Sequence, residues 1–431
     1  QTDEGIDIKP FYHSDNRDNT FQLPHTESWL VTEKLYLENV DITIENALDV
    51  IERGAESLWI VVPEAKKNKF DFFKALKDHT IPLFVEFLFS DVDFFKELNH
   101  LLENQNQRIL IGLDPFGRLA STGNWFKNQK QDTQDLLEVL HLNGFSNHIH
   151  IDARLYQNAG GLITQQLAYT LAHLNEYLTL FNNLDQKPKA LKVNIIVAQG
   201  SHYFFEIAKL KTLRWLIQNL ASEYAIEIDL NLIAEPTKRN TTLYDYNMNM
   251  LRSTTECMSA ILGGANWVNN LAYDEIFHKR NEFGERISRN QLLILKQESY
   301  FDKVTNPVDG TYYIENLVIE LSEKALSIFK SIEAGNGFIH QLFEGKIQKK
   351  IKASAEKEQQ KVNDKEFSLV GTNKYENPED KVGDQLELFP FLKQHHRKTL
   401  IEPIVERRLA EPFEKQRLEQ EKNDKSNTET H

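Results

Sequence analysis

Cysteine is almost absent from this chain, and the single Cys257 among 431 residues excludes several kinds of structure. One thiol cannot form an intrachain disulfide, a zinc ribbon or a cysteine-ligated iron–sulfur cluster. Long apolar runs are also missing: no eighteen consecutive residues are apolar, so the sequence predicts no transmembrane helix. These absences favour a reducing compartment, and we expect a cytoplasmic protein without a membrane partner.

Positive charge is scarce relative to negative charge. The chain has 50 Lys and Arg residues against 64 Asp and Glu residues, a formal net charge of −14. Coating nucleic acid or an anionic membrane needs the opposite balance, so we expect neither partner. The first residues contain no basic and no apolar segment of the signal-peptide type. Because the chain does not begin with methionine, we expect residues upstream of Gln1, together with any targeting signal.

The common phosphate-binding and nucleophile motifs are missing as well. There is no G-x-x-x-x-G-K-[ST] loop, no G-x-G-x-x-G that opens a helix after a strand, and no G-x-S-x-G elbow. Cys257 lies within a helical apolar pattern, so we interpret it as a core residue rather than a nucleophile.

Short apolar runs of strand length alternate with amphipathic helical segments. Seven runs are predicted strands, at residues 57–62, 81–87, 108–113, 148–153, 192–198, 227–234 and 267–272. Asp91 and Thr164 stand where caps of the intervening helices can form. Strict alternation requires a parallel sheet, and seven or eight units favour a closed (β/α)8 TIM barrel over an open sheet. The eighth strand is the least distinct, and residues 306–313 are the candidate for it.

The pattern changes towards the C-terminus. We predict that the barrel covers residues 1–340 and that a helical and extended C-terminal extension covers residues 341–413. Residues 414–431 are charged and lack apolar periodicity, which predicts a solvated and disordered tail.

His148, His150 and Asp152 form the sharpest chemical pattern in the sequence. Residues i, i+2 and i+4 of a strand face the same side, so two imidazoles and a carboxylate converge as zinc or another divalent ion requires. His202, after the next predicted strand, is a candidate fourth ligand. The alternative is that these side chains fill the barrel interior and bond to their neighbours. It is favoured because no further converging ligand set occurs.

The predicted strands also carry carboxylates at their ends and bulky rings along their length. The carboxylates are Glu86, Asp114, Asp152 and Glu235, placed where barrel enzymes hold catalytic groups, although capping the next helix is the commoner role there. The rings are those of Trp59, Phe84, Phe87, His148, His150 and Trp267. Since strand residues alternate between lumen and helix layer, we expect two or three rings to fill the lumen.

One helical segment, Asn249-Met250-Leu251-Arg252-Ser253-Thr254, is similar to the asparagine–x–x–arginine–threonine–threonine element of the methylmalonyl-CoA mutase family. Further segments resemble the same family in the same order along nearly the whole chain, at residues 4–12, 158–169, 206–211, 239–264, 287–299, 306–313, 332–334, 371–375 and 408–414. The chain is identified as a member of this family, and it resembles the small (beta), non-catalytic subunit.

Departures from the family pattern decide what the resemblance implies. The catalytic subunit has a His-x-Gln-Thr-x-Gly element whose histidine faces the cobalamin, whereas residues 235–242 here read Glu-Pro-Thr-Lys-Arg-Asn-Thr-Thr. None of the 14 histidines fits the Asp-x-His-x-x-Gly motif that ligates cobalt, and the chain ends where the family's cobalamin-binding domain would begin. The resemblance therefore implies no catalytic and no cofactor-binding residue in this chain.

The resemblance implies a heterodimer with a catalytic large subunit. That partner would carry adenosylcobalamin and interconvert methylmalonyl-CoA and succinyl-CoA in propionate metabolism, while this chain stabilises it. We also expect a lumen too full for the pantetheine arm of coenzyme A. The alternative is a self-sufficient enzyme: either a diverged acyl-CoA mutase with a separate cobalamin-binding chain, or a metal-dependent barrel hydrolase that uses His148, His150 and Asp152.

Overall fold

Eight parallel strands form a nearly closed barrel in the computed structural model. The structure describes residues 2–16, 28–103, 107–304, 306–392 and 397–428. The strands, β1 to β8 in chain order, are Leu30–Tyr36, Ser57–Val62, Leu83–Phe87, Ile109–Gly112, Ile149–Asp152, Ala190–Gln199, Glu227–Pro236 and Trp267–Asn269. Their order is β4-β3-β2-β1-β8-β7-β6-β5, which confirms the predicted (β/α)8 fold.

Helices connect the strands and extend the chain beyond the barrel. In the described part of the chain they are, as α1 to α14, Val40–Glu52, Phe70–Ala75, Val92–Leu102, Pro115–Thr122, Gln129–Val139, Arg154–Asn158, Ile163–Asn182, Tyr203–Glu223, Met248–Gly263, Glu282–Leu293, Tyr312–Ala334, Gly337–Phe343, Lys346–Asn363 and Glu411–Thr428. No helix in these residues is long and apolar enough to cross a membrane.

Carboxylates bind the first N–H groups of helices α3 and α7. Asp91 accepts a hydrogen bond from the backbone N–H of Phe94 at 3.0 Å, which confirms the predicted cap of α3. Thr164 is not the cap of α7, because it lies within that helix. The first N–H groups of α7 donate instead to the carboxylate of Glu4, at 2.6 Å from Ile163 and 3.0 Å from Thr164. The N-terminal segment is thereby tied to the barrel.

The eighth strand lies elsewhere than the sequence predicts. Residues 306–313 form a turn and the start of α11, so the prediction of a strand there is wrong. The missing strand is Leu30–Tyr36, which pairs with both β2 and β8. Two charged residues interrupt its apolar pattern: Glu33 forms an ion pair with Arg289 at 3.2 Å, and Lys34 belongs to the barrel mouth described below. Contacts with other elements therefore stabilise this strand, although its own sequence pattern does not predict it.

The C-terminal segment is also more ordered than predicted. Glu411–Thr428 form helix α14, so the prediction of a disordered tail is wrong for residues 414–428, and 429–431 lie outside the described part of the chain. Glu414 is 1% exposed and accepts hydrogen bonds from Arg408 at 2.6 Å and from the backbone N–H of Leu243 at 2.6 Å. Leu418 packs in an apolar cluster with Leu243. These contacts come from distant segments, so the local sequence pattern does not predict them.

The strand side chains divide between two separate cores. On one face of β2, Leu58, Ile60 and Val62 pack against the helix layer, together with Cys257 of α9, which confirms that this cysteine is a core residue. On the other face, Trp59 packs inside the barrel. The lumen cluster consists of Trp59, Val61, Phe84, Leu110, Ile196, Ile233 and Trp267. Alternation along each strand therefore produces both layers, as period-two geometry requires.

A side-chain amide closes the seam between β4 and β5, the two ends of the sheet order. Oδ1 of Asn147 accepts a hydrogen bond from the backbone N–H of Ile111 at 2.7 Å, and its Nδ2 donates to the carbonyl of Ile111 at 2.9 Å. The amide thus reproduces the paired donor and acceptor of a neighbouring strand, and the barrel interior stays enclosed on that side.

Candidate functional site

Aromatic rings fill the barrel lumen. Trp59, Phe84 and Trp267 are at most 1% exposed. The rings of Trp59 and Phe84 meet edge to face with centroids 5.3 Å apart, and Phe84 contacts the ring of His150 at 5.1 Å. Phe87 lies on the other face of its strand and packs among the phenylalanines of α3. The prediction of inward rings is confirmed, with four of them inside where two or three were expected.

A chain of hydrogen bonds crosses the lumen beside these rings. Nη2 of Arg108 donates to Oδ1 of Asn231 at 3.3 Å, Nδ2 of Asn231 donates to Oδ1 of Asn194 at 2.7 Å, and Nδ2 of Asn194 donates to Nδ1 of His150 at 3.0 Å. Each donor sets the orientation of the next amide, so Nδ1 of His150 is an acceptor. Burial lowers the pKa of His150, so the ring is neutral near pH 7 and carries its proton on Nε2.

Arg154, the first residue of α6, lies at the centre of the barrel mouth. Its guanidinium donates to Asp152 through Nε at 2.8 Å and through Nη2 at 2.6 Å. It also donates to Glu235 at 2.9 Å and to Glu86 at 3.2 Å. The guanidinium carbon lies 4.7 Å from the ring centroid of Trp59, so the cation also contacts the aromatic lumen. Three of the four predicted strand-end carboxylates therefore converge on a single cation.

The ion pairs keep the mouth carboxylates charged in spite of burial. Burial opposes ionisation of Glu235, which is 2% exposed, but the charges of Lys34 and Arg154 outweigh it and lower the pKa of Glu235 to about 2. The same competition between burial and Arg154 lowers the pKa of Asp152. Near pH 7 the mouth is therefore an ionised network and not a set of carboxylic acids ready to donate protons.

Asp114, the fourth predicted carboxylate, belongs to a buried network with α7. Its Oδ1 is hydrogen-bonded to Nε2 of His173 at 2.9 Å and accepts from the hydroxyl of Tyr177 at 2.6 Å. The same oxygen accepts from the backbone N–H of Gly117 at 2.8 Å, which caps α4. Burial opposes its charge, but the contacts with His173 and Tyr177 hold the pKa of Asp114 well below its usual range. The capping role that the sequence favours is thus confirmed for this residue.

The pattern His148, His150 and Asp152 is not assembled as a metal site. Nδ1 of His148 accepts a hydrogen bond from the backbone N–H of Lys192 at 2.9 Å, and Asp152 is bound to the guanidinium. His202 stands at the start of α8 and packs against a phenylalanine ring. Within the described ranges, no group of three or more His, Cys, Asp or Glu side chains is arranged to hold a metal ion. All three side chains are therefore bonded to their neighbours, as the alternative expects, but only His150 lies in the barrel interior.

Arg154 and Lys34 are two cations of the mouth that no motif described above includes. Arg154 follows the strand-end Asp152 by two residues, and this pairing of opposite charges is the signal that could have identified it. Lys34 is hidden because β1 is not predicted. Its Nζ lies 4.0 Å from the ring centroid of Trp59 and 3.6 Å from Glu235. The carboxylates are thus visible in the sequence, but the cations that neutralise them are not.

The chain is similar in sequence to proteins of the methylmalonyl-CoA mutase family. The methylmalonyl-CoA mutase family model matches residues 122–421. The methylmalonyl-CoA mutase small subunit of Porphyromonas gingivalis is 30% identical over 99% of this chain and 74% of its own length. The small subunit of Streptomyces virginiae is 26% identical over 80% of this chain and 58% of its own length. The methylmalonyl-CoA mutase of Cereibacter sphaeroides is 33% identical over 53% of this chain and 33% of its own length, so the chain spans only part of each relative.

Proposed function

The chain belongs to the methylmalonyl-CoA mutase family, and we propose that it is a non-catalytic small subunit that pairs with a catalytic chain and stabilises it. The observation that carries the proposal is the filled interior. Trp59, Phe84 and Trp267 occupy the lumen, and Arg154 with its carboxylates lines the mouth. An eight-stranded barrel has room for little more than its own side chains, so a lumen filled with rings excludes an extended pantetheine arm.

The residues that the structure describes do not fit adenosylcobalamin, so we assign the cofactor to the partner. His150 is 4% exposed, and its Nδ1 already accepts a hydrogen bond from Asn194. A ring buried in the lumen is not placed to coordinate a cobalt ion above the mouth. Carboxylates held by Arg154 lie nearer the mouth, and these charged groups do not form the closed, water-free cavity that radical chemistry needs. We therefore expect no catalytic step to take place on this chain.

Co-expression with the catalytic subunit of the same host tests the proposal directly. We expect a stable complex of one copy of each chain, with an interface above roughly 2,000 Å² in total, as obligate pairs have. We expect mutase turnover and bound cobalamin for the complex, and neither for this chain alone. Native mass spectrometry, the cobalamin absorption spectrum and a methylmalonyl-CoA isomerisation assay measure these three quantities. Stoichiometric cobalamin uptake or turnover by the purified chain alone would overturn the proposal, as would failure to form the complex.

A variant at the mouth separates a stabilising role from a catalytic one. Lys34 lies 12% exposed against Glu235 and Trp59, at a position that a barrel enzyme would use for chemistry. We expect the complex that contains Lys34→Met to assemble and to keep the kcat and KM of the native complex. Loss of kcat in an intact complex would show that this chain takes part in the reaction.

A further inference from the structure

A small cavity lies at the mouth between the ends of β3, β4 and β5 and the first turns of α4. Its volume is about 110 Å³, several times the roughly 30 Å³ that one water molecule occupies in the liquid. Leu88, Phe126 and Leu155 form apolar parts of its wall, and His150 and Arg118 contribute polar parts. The cavity is therefore large enough for a ligand of a few non-hydrogen atoms that has both an apolar and a polar end.

The first polar group of this wall is a hydrogen-bond donor that lacks an acceptor. The chain of amides through Asn231 and Asn194 places the proton of His150 on Nε2. Within the described part of the chain, this Nε2–H has no hydrogen-bond acceptor, although His150 is only 4% exposed. This Nε2–H can therefore donate to an oxygen in the cavity, and a ligand that supplies such an oxygen can bind here.

The second polar group is a cation without a counter-ion. Among the residues that the structure describes, no carboxylate forms an ion pair with the guanidinium of Arg118, and its Nε has no acceptor. The guanidinium carbon lies 5.2 Å from the ring centroid of Phe126. Burial lowers the pKa of Arg118, the charge of Arg397 acts in the same direction, and the charge of Asp132 acts in the opposite direction. A guanidinium that faces a cavity, and that forms no ion pair with a carboxylate of the described residues, can bind an anion there.

The carboxylates of the same wall are already engaged. Glu86 accepts from Nε1 of Trp59 at 2.8 Å and from Arg154, which also binds Asp152 through two nitrogens. Asp114 accepts from Tyr177 and from backbone N–H groups. These carboxylates therefore already have hydrogen-bond donors within the protein, and the groups of the wall that lack a protein partner, Nε2–H of His150 and Nε of Arg118, are donors.

We propose that this cavity binds the carboxylate of a short aliphatic acid, with its oxygens on Nε2–H of His150 and on the guanidinium of Arg118. The apolar side chains of Leu88, Phe126 and Leu155 then contact an alkyl chain of a few carbons. A guanidinium and a neutral imidazole N–H together suit a carboxylate, because a carboxylate accepts hydrogen bonds on two oxygens. The site belongs to this chain alone, so it goes beyond the proposed pairing role and does not depend on it.

Titration of the full-length chain with acetate, propionate and butyrate at constant ionic strength tests this site. We expect saturable binding, seen by NMR as a change in the 15N shift of His150 Nε2 and by isothermal calorimetry as heat. Arg118→Met should weaken the affinity at least about tenfold, since hydrogen bonds to charged groups are the strong ones. Arg53→Met is the matched control, because Arg53 is an exposed arginine with 48% of its side chain accessible, and it should leave the affinity unchanged.

Three results would overturn the site. The first is the absence of saturable binding by the native chain at concentrations up to about 50 mM, where even a weak specific site fills. The second is equal affinity in Arg118→Met and the native chain. The third is binding that leaves the Nε2 shift of His150 unchanged, since this places the ligand elsewhere. The NMR measurement on His150 uses the native chain, so it tests the proposed site even if Arg118→Met fails to fold. None of these results bears on the formation of the heterodimer.

Discussion

Aromatic side chains fill the lumen of this barrel, whereas ion pairs line its mouth, so different forces hold the two regions. The lumen is aromatic: Trp59, Phe84 and Trp267 gain stability from burial and ring contacts that depend weakly on direction. The mouth is ionic, and Arg154 contacts three carboxylates at distances of 2.6 to 3.2 Å. Charges that are buried this way are stable only while every partner is present.

The difference predicts how each region responds to change. A packed lumen loses stability in proportion to the atoms removed or added. The mouth should respond abruptly, because removal of its central cation leaves like charges facing one another. The largest effects are therefore expected at the mouth and the smallest in the lumen.

Arg154→Met should be the most damaging single substitution of this set. It leaves Glu86, Asp152 and Glu235 buried without their common cation, and breaking a buried ion pair in this way costs about 3–5 kcal/mol. Urea unfolding followed by circular dichroism measures the change in the free energy of unfolding. We also expect millimolar methylguanidinium to restore part of the loss, because it can occupy the vacated site on the face of Trp59.

An exposed arginine provides the control for this substitution. Arg53 forms an ion pair with Asp49 at 2.7 Å, and 48% of its side chain is exposed. Exposed pairs contribute about 0–1 kcal/mol, so Arg53→Met should change stability little. Equal small losses for Arg53→Met and Arg154→Met would show that the mouth carboxylates do not depend on Arg154, and the contrast between mouth and lumen would not hold.

Acid should destabilise the protein through Glu235. The folded-state pKa of this residue is lowered to about 2, against an ordinary value of 4.5. A lowered pKa means that the charged form stabilises the fold above pH 4.5, and that this contribution is lost as the pH falls towards 2. A shift of this size corresponds to about 3 kcal/mol. We expect the free energy of unfolding to fall across this range in the native chain and to fall less in Glu235→Gln.

The matched control for the acid experiment is Glu97→Gln, since Glu97 is 47% exposed and pairs with an exposed lysine. Its pH profile should remain parallel to that of the native chain. A slope between pH 4.5 and 2 that is the same in the native chain and in Glu235→Gln would contradict the assignment of this acid sensitivity to the mouth.

The sequence predicts the lumen better than the mouth, for a physical reason. Side-chain parity along a strand and the bulk of Trp59 and Phe84 are local properties, so inward rings can be inferred from one strand at a time. Arg154 meets Glu86 and Glu235 only because three strands end together, and a linear pattern does not encode that meeting. The carboxylates could be expected at strand ends, but their shared cation could not.

Two further elements differ from the sequence prediction for the same reason, because their partners lie far away in the chain. Residues 30–36 form a strand although Glu33 and Lys34 interrupt the apolar pattern, because each charge finds a partner in another element. Residues 411–428 form a helix although their apolar periodicity is weak, because Glu414 is bound by Arg408. Local periodicity predicts elements that bury an apolar face, whereas elements that long-range ion pairs anchor are visible only in three dimensions.

The smallest expected effect tests how tightly the lumen is packed. A Cβ atom added at Gly112 would lie 2.7 Å from Cζ of Phe84 and 3.0 Å from the backbone of Glu86. Gly112→Ala should therefore cost about 1–3 kcal/mol through overpacking. Phe84→Leu should have its own cost from the space that the ring leaves, measured in the same way by urea unfolding.

The double variant Gly112→Ala with Phe84→Leu distinguishes a packed lumen from a loose one. If the ring of Phe84 is what the new methyl group meets, the shorter leucine relieves the contact and the methyl group fills part of the vacated space. The double variant should then be more stable than the sum of the two single effects predicts, by about 0.5–2 kcal/mol. Full relief is not expected, because the backbone of Glu86 remains 3.0 Å away. Strict additivity would mean that the lumen relaxes freely around the ring and that its rings do not form the tight filling on which the exclusion of coenzyme A depends.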